Sequence, residues 1–373
     1  MNDLQPLILH LTTVHPRFDL RIFGKQCMSL KQAGYDVRVM VADGNGDEVR
    51  SGISIYDLGR ATGRLRRMAI LPWRAFSAIR RLQPGLVHFH DPELLPLALL
   101  LRLAGYTVVY DAHEDLPRSL RSRRWLRQSL LGVVSTLAEV IENASARAMS
   151  AVVGATPHIA QRFASRNSRT VSVCNYPDLS NVPDMRRRPE ASTFCYIGAI
   201  SRHRGIFEMV RASSAAGARL LVAGPFGDDA LQAQVSAMSE WKNVEYFGVL
   251  PHERVWELMA RSQAGLLFLH PVPNYIDSLP VKLFEYMAAG LPILSSNYDG
   301  WPDIVRNNGV GFLCDPTDAE AIAEQMRLVL ADPENAEAMG RHARDVVVAH
   351  YSWKSEAEKL LNLYSALVPA HAS

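Results

Sequence analysis

Between Asp277 and Ile293 the chain reads DSLPVKLFEYMAAGLPI. Ser278 is a capping residue, and Pro280 suits the first helical turn, where its missing N–H costs nothing. Leu283, Phe284, Met287 and Ala288 then recur at helical spacing. Gly290 and Pro292 end the element, and a β-rich run, ILSS at 293–296, follows. Lys282 stands in the first turn, beside backbone N–H groups that have no helical partner, and together these form an anion site. Glu285 lies one turn deeper, and Asp277 sits just outside the helix. Two carboxylates flanking a phosphate-binding helix start suit a ligand that joins sugar, diphosphate and ribose. A capped core helix with two solvated carboxylates would carry the same letters.

Outward from this helix the chain alternates strand and helix. Apolar strands are expected at 7–11, 35–41, 86–90, 107–110, 151–153 and 170–173, with a helix near 20–33 ending at Gly34. A second alternating series opens at TFCYIG (193–198) and continues at 219–223, 243–247, 264–269, 292–295 and 310–313. Such alternation implies mostly parallel sheets with helices on both faces, whose ligands gather at the carboxyl ends of the strands. The stretch 175–192 carries three prolines and no apolar periodicity, and reads as a linker. With 373 residues, 48% of them hydrophobic, the chain suits two ordinary domains. Its longest apolar run, Leu94 to Leu101, is far short of the roughly 20 residues that span a bilayer. MNDLQPLILHL reads as a first strand rather than a leader, and four scattered cysteines suit a reducing cytoplasm.

No G-x-G-x-x-G follows the first strand, which disfavours a nicotinamide cofactor. His15, Arg17, Asp19 and Arg21 stand there instead. His90-Asp91-Pro92-Glu93 follows LVHFH, and Asp111-Ala112-His113-Glu114-Asp115 follows TVVY. A metal site built from His88, His90, Asp91, His113 and Glu114 competes for these residues, but it demands a particular strand order. Asp43-Asn45-Asp47 resembles the start of a calcium loop, yet Ser54 stands where the closing acid belongs, so it reads as a turn. In the second half, GAISRHRGIFEMV (198–210) opens a helix with Gly198, Ser201, Arg202, Arg204 and Gly205 at its start.

The 277–293 segment resembles the E-x7-E region of the retaining glycosyltransferases of family 4, with Asp277 as the first acid and Glu285 as the second. HLTTVHPRFDLRIFGKQCMSLKQAGYDV, HDPELLPLALL and VVYDAHED resemble further regions of one bacterial polysaccharide-type branch. The resemblance implies the GT-B architecture, an α/β fold of two Rossmann-like domains whose parallel sheets face across a cleft. The expected division is an acceptor-binding domain at 1–174, a linker at 175–192, a donor-binding domain at 193–349, and a C-terminal helix at 350–373 crossing back to the first domain. It implies a nucleoside-diphosphate sugar as donor substrate, with no cofactor and no metal. It places His113 at the sugar's reacting face, Asp277 on the sugar hydroxyls and Glu285 on the ribose. Val249 and Leu250 are placed near the base through their backbone groups, and Gly198, Arg202, Arg204 and Lys282 at the diphosphate. Family members usually carry G-R-x-x-x-x-K-G at 198–205; here Ala199 replaces the Arg and Arg204 the Lys, with Arg202 as a possible substitute.

Arg118, Arg121, Arg123, Arg124 and Arg127 mix with Leu120, Trp125 and Leu126, and no acid intervenes between Leu116 and Ala138. A basic amphipathic stretch of this kind suits an anionic membrane surface, and without interleaved aromatics it disfavours nucleic acid. The expected function is transfer of a sugar, with retention, to a hydroxyl of a saccharide or lipid-linked saccharide. The expected place is the cytoplasm or the inner face of the plasma membrane. The rivals are a sugar-nucleotide epimerase of the same architecture, a metal-dependent deacetylase or hydrolase, and a non-catalytic sugar-nucleotide binder.

Overall fold

A computed structural model describes residues 6–117, 128–183 and 187–368, and the chain divides into two compact units. The first comprises Met1–Asn175 with Trp353–Ser373, and the second Tyr176–Ser352. The basic stretch Arg118–Arg127 lies outside the described residues. Among the described residues no helix is long and apolar enough to cross a membrane.

The first unit is built on an eight-stranded sheet. Its strands are β1 (Leu7–Leu11), β2 (Asp36–Val41), β3 (Glu48–Arg50), β4 (Ile53–Asp57), β5 (Leu86–Phe89), β6 (Thr107–Ala112), β7 (Ala151–Gly154) and β8 (Thr170–Ser172). Their order is β3-β4-β2-β1-β5-β6-β7-β8, and only β3 runs antiparallel to its neighbour. Continuous apolar runs such as LILHL and AVVG fit strands covered on both faces. One face packs on the Arg64–Leu82 and Leu95–Leu103 helices through Leu71, Ala75, Leu97 and Leu101. The other packs on the C-terminal helix, Trp353–Leu367, through Leu360, Leu363 and Tyr364. The order reverses between β1 and β5, so loops open away from each other there and leave a crevice at the strand ends.

The expected helix near 20–33 is two segments. A π-helix runs from Leu20 to Cys27 and a short α-helix from Met28 to Gln32. Asp19 caps the π-helix by accepting the N–H groups of Arg21 and Ile22. Its wider turn carries Arg21, Lys25 and Gln26 inward, all buried.

The second unit has six parallel strands: β9 (Thr193–Ile197), β10 (Arg219–Ala223), β11 (Val244–Tyr246), β12 (Gly265–Leu267), β13 (Ile293–Ser296) and β14 (Gly311–Cys314). Their order is β11-β10-β9-β12-β13-β14, with the reversal between β9 and β12. Phe194, Tyr196, Leu220, Val222, Leu266 and Phe268 centre its core. The Pro-rich stretch after Asn175 is fastened to this unit. Tyr176 meets the Phe284 ring at 4.7 Å, and Arg187 donates to the carbonyls of Gly290 and Ser262.

Candidate functional site

In the second unit the helix of the opening segment spans Val281–Ala288. Pro280 precedes it rather than forming its first turn, and Ser278 does not cap it, because its hydroxyl donates to the Tyr275 carbonyl at 2.9 Å. Tyr286 locks the helix to the sheet: its hydroxyl accepts the Ile197 N–H at 2.9 Å, at the very end of β9. Gly265 makes room for that ring, since a Cβ there would lie 2.5 Å from it.

Beyond Ile197 the backbone turns through Gly198, at φ +145°. A Cβ on Gly224 would sit 1.9 Å from the Gly198 carbonyl, so the β9 and β10 turns touch only because Gly224 has no side chain. A side chain on Gly198 would begin 3.6 Å from Arg204 Nη1 and 4.0 Å from Lys282 Cγ. Two cations thus border one bare stretch of backbone at the reversal of strand order. Arg204 donates from Nε to the Tyr275 hydroxyl at 3.3 Å, with its guanidinium 5.6 Å from that ring. Burial would pull its pKa down, but Tyr196 and Tyr275 leave it raised. Burial also pushes the Tyr196 phenol up to about 12, so it stays neutral and donates to the Ala199 carbonyl at 2.7 Å. Lys282 pairs with the buried Glu285 one turn on.

The remaining expected residues divide. Gly248 accepts the Gly224 N–H at 2.7 Å, which places Val249 and Leu250 in the loop beside the glycine turn, with Val249 exposed. Asp277 is half-buried directly after the short Pro273–Ile276 helix. Arg202 is turned elsewhere: its guanidinium stacks over Phe207 at 4.7 Å and donates to Gln234.

In the first unit the strand ends carry imidazoles. His10 on β1 stands opposite His88 on β5, and His90 and His113 follow the ends of β5 and β6. His10 Nδ1 lies 3.0 Å from His90 Nε2, and His90 Nδ1 lies 3.1 Å from His113 Nε2. Asp111 sits beneath them, taking Arg21 at 2.9 Å and Gln26 at 2.7 Å. Burial alone would raise its carboxyl, but Arg21 and the His113 ring hold it well below the usual carboxylate range. Burial lowers His10 and His90 and takes His88 down to about 4. His113 is partly exposed, its ring 4.5 Å from that of His15. His10, Gln26, Tyr275, Tyr286 and Tyr364 escaped the sequence reading. The polar letter inside LILHL was the signal for His10.

Two units with largely parallel sheets are what GT-B glycosyltransferases contain, and the comparisons with known proteins point to that architecture. Residues 21–175 match the family model "Glycosyl transferase 4-like domain", and residues 182–346 match "Glycosyl transferases group 1". Glycogen synthase of Mycobacterium tuberculosis is 24% identical over 339 residues, covering 88% of this chain and 80% of that protein. Sucrose-phosphate synthase of Thermosynechococcus elongatus superposes with a TM-score of 0.76 at 18% identity, over 97% of this chain and 99% of that one. Anabaena HepE in complex with UDP-glucose gives 0.72 at 14% identity, over 97% and 100%. The chain belongs to the family-4 type of GT-B glycosyltransferases.

Proposed function

We propose that the protein moves a hexose from a nucleoside-diphosphate sugar to a hydroxyl of a saccharide, with retention and without a metal. The observation that carries this is the closeness of Arg204 Nη1 and the Lys282 stem to Gly198, at the reversal of strand order in the second sheet. Breaking the bond between the anomeric carbon and the phosphate oxygen leaves an added negative charge on the diphosphate. Fixed cations beside open backbone are suited to stabilising it. Glu285 and Asp277 would take ribose and sugar hydroxyls, and His113 would support the reacting face of the sugar. The acceptor oxygen bonds to the anomeric carbon on the face the diphosphate leaves, and its proton passes to the departing phosphate oxygen.

UDP-glucose in the HepE complex supports a nucleotide sugar as donor. For the acceptor we infer a lipid-linked saccharide of envelope polysaccharide synthesis, met at the inner face of the plasma membrane. The run Arg118–Arg127 supports this, since each arginine near an anionic surface contributes about 1 kcal/mol.

Thermal-shift titration with UDP, GDP, ADP, CMP and their sugars, with and without EDTA, tests the donor. A ligand at 100 times its Kd should add about 2.7 kcal/mol of stability. A shift with one base, indifferent to EDTA, supports the reading. Silence from every nucleotide, with destabilisation by EDTA, would replace it with a metal hydrolase. Product formed from a nucleotide sugar without acceptor would instead indicate an epimerase.

A further inference from the structure

The first unit holds a continuous file of ring nitrogens under the C-terminal helix. Tyr364, His10, His88 and Asp111 are fully buried, and His90 is 1% exposed. The Tyr364 hydroxyl lies 2.5 Å from His88 Nδ1 and 3.4 Å from His10 Nε2. From His10 the contacts pass through His90 to His113 at 3.0 and 3.1 Å. Burial keeps His10, His88 and His90 neutral near pH 7. Each neutral ring has one N–H and one lone pair, so with the Tyr364 hydroxyl proton kept within the file there are only two proton arrangements, one the reverse of the other.

Two features choose between them. The short 2.5 Å contact suits Tyr364 as donor to His88 Nδ1, which leaves the phenol oxygen to accept from His10 Nε2–H. His10 Nδ1 then accepts from His90 Nε2–H, and His90 Nδ1 accepts from His113 Nε2–H. This arrangement also turns two N–H groups toward the ionised Asp111 Oδ2, His113 Nε2 at 3.3 Å and His88 Nε2 at 4.0 Å, against one lone pair, that of His90 Nδ1 at 3.3 Å. The reverse arrangement offers it one, from His90 Nδ1 at 3.3 Å, and sets two lone pairs against it.

We propose that Tyr364 is a positioning residue that, through His10 and His90, fixes His113 as the tautomer with its proton on Nε2 and its Nδ1 bare. A bare Nδ1 accepts a hydrogen bond, so this face of His113 would receive a hydroxyl of the substrate. That consequence rests on the transferase reading; the tautomer does not.

A metal is the alternative occupant, since His10, His88 and His90 form one possible ligand group and His90, Asp111 and His113 another. In the second, Asp111 Oδ2 already accepts Gln26 at 2.7 Å and Arg21 Nε at 3.2 Å. A cation would face the Arg21 guanidinium across one oxygen, and that repulsion disfavours it.

Long-range proton–nitrogen correlation spectra of the full chain labelled with 15N-histidine read the tautomers directly, without any substrate. His113→Asn assigns the signals. The wild type should show a pyridine-like Nδ1 and a pyrrole-like Nε2 at His113. In Tyr364→Phe the His10 Nε2–H loses its acceptor, and the file should reverse so that His113 carries its proton on Nδ1. His10→Phe breaks the file at a second point and should do the same, which covers the case in which one variant does not fold. A wild-type His113 protonated on Nδ1 would overturn the proposal. So would a His113 tautomer unchanged in the folded variants, or stoichiometric zinc retained by the purified protein.

Discussion

Both units bring parallel strands to a reversal of order, and they furnish the two crevices with opposite chemistry. The first sets buried neutral imidazoles around one carboxylate, roofed by Tyr364 from a helix at the far end of the chain. The second leaves the backbone bare at Gly198 and sets near it Arg204, laid against Tyr275, and Lys282, paired with Glu285. A neutral, enclosed file of rings can orient a group but cannot compensate charge. Two fixed cations beside glycine can compensate charge but hold a sugar less exactingly. On the proposed function, the same topology serves as a positioning end in the first unit and an electrostatic end in the second.

The sharpest test of that contrast removes a cation. Lys282→Met keeps the stem and deletes the charge, and turnover with a nucleotide sugar should fall about 10²–10³-fold, roughly 2.7–4 kcal/mol. Because the change also leaves Glu285 buried without its cation, the double variant with Glu285→Gln should recover stability but not turnover. Steady-state kinetics with melting curves separates the two effects. A loss under tenfold would mean that the second crevice is not the electrostatic end.

Acid should reach the first unit before the second. The folded His88 pKa of about 4 lies below its ordinary 6.5, so the unfolded chain binds more protons between those values. Stability is then complete above about pH 6.5 and declines as pH falls toward 4, by about 3 kcal/mol for His88 alone. His10 and His90 are shifted the same way. His15 opposes them: its pKa is raised, despite burial, by Asp19 and Asp91, so its contribution is present at low pH and is lost as pH rises through its folded value. Among the described residues the second unit buries no histidine. Hydrogen-exchange protection factors, each rate being referred to its intrinsic value at that pH, should therefore fall between pH 7 and 4.5 in β1, β5 and β6 before β9, β12 and β13. An equal fall in both sheets would remove the enclosed imidazoles as a distinguishing feature.

Much of this was legible before the structure, for identifiable reasons. Alternating apolar strands and helices announce parallel sheets, and Gly198, Lys282 and Glu285 lie within short segments whose local pattern fixes their place. His10 and Tyr364 were not legible, because they are 354 residues apart and meet only once strand order and the path of the last helix are known. The π-turn at Leu20–Cys27 was missed because its letters keep helical spacing and only the inward turn of Arg21 and Gln26 reveals the wider coil. Tyr286 looked like one more core aromatic, since nothing local shows that Ile197 at the end of β9 has an N–H in need of a partner.

A smaller effect tests how rigidly the electrostatic end is held. In Gly265→Ala the new methyl would meet the Tyr286 ring at 2.5 Å, and the helix bearing Lys282 would have to shift. A loss of about 1–3 kcal/mol in stability is expected, seen as a lowered melting temperature with turnover reduced in step. Full turnover at reduced stability would show that Lys282 tolerates movement of its helix.

The smallest expected effect concerns Arg202. Ala199 stands where the family pattern carries an arginine, which makes Arg202 the obvious replacement by sequence distance alone. Its side chain instead lies over Phe207 and donates to Gln234, and it is exposed. Arg202→Ala should change stability by no more than about 0.5 kcal/mol, as exposed substitutions generally do. Turnover should stay within about twofold, because 1.4 kcal/mol corresponds to a factor of ten. If turnover fell as far as in Lys282→Met, the guanidinium would have to leave Phe207 and Gln234 when donor binds. Gln234→Ala would then raise donor affinity by releasing it. If Arg202→Ala is silent, the second unit handles the diphosphate with Arg204 and Lys282 alone, one cation fewer than the family pattern.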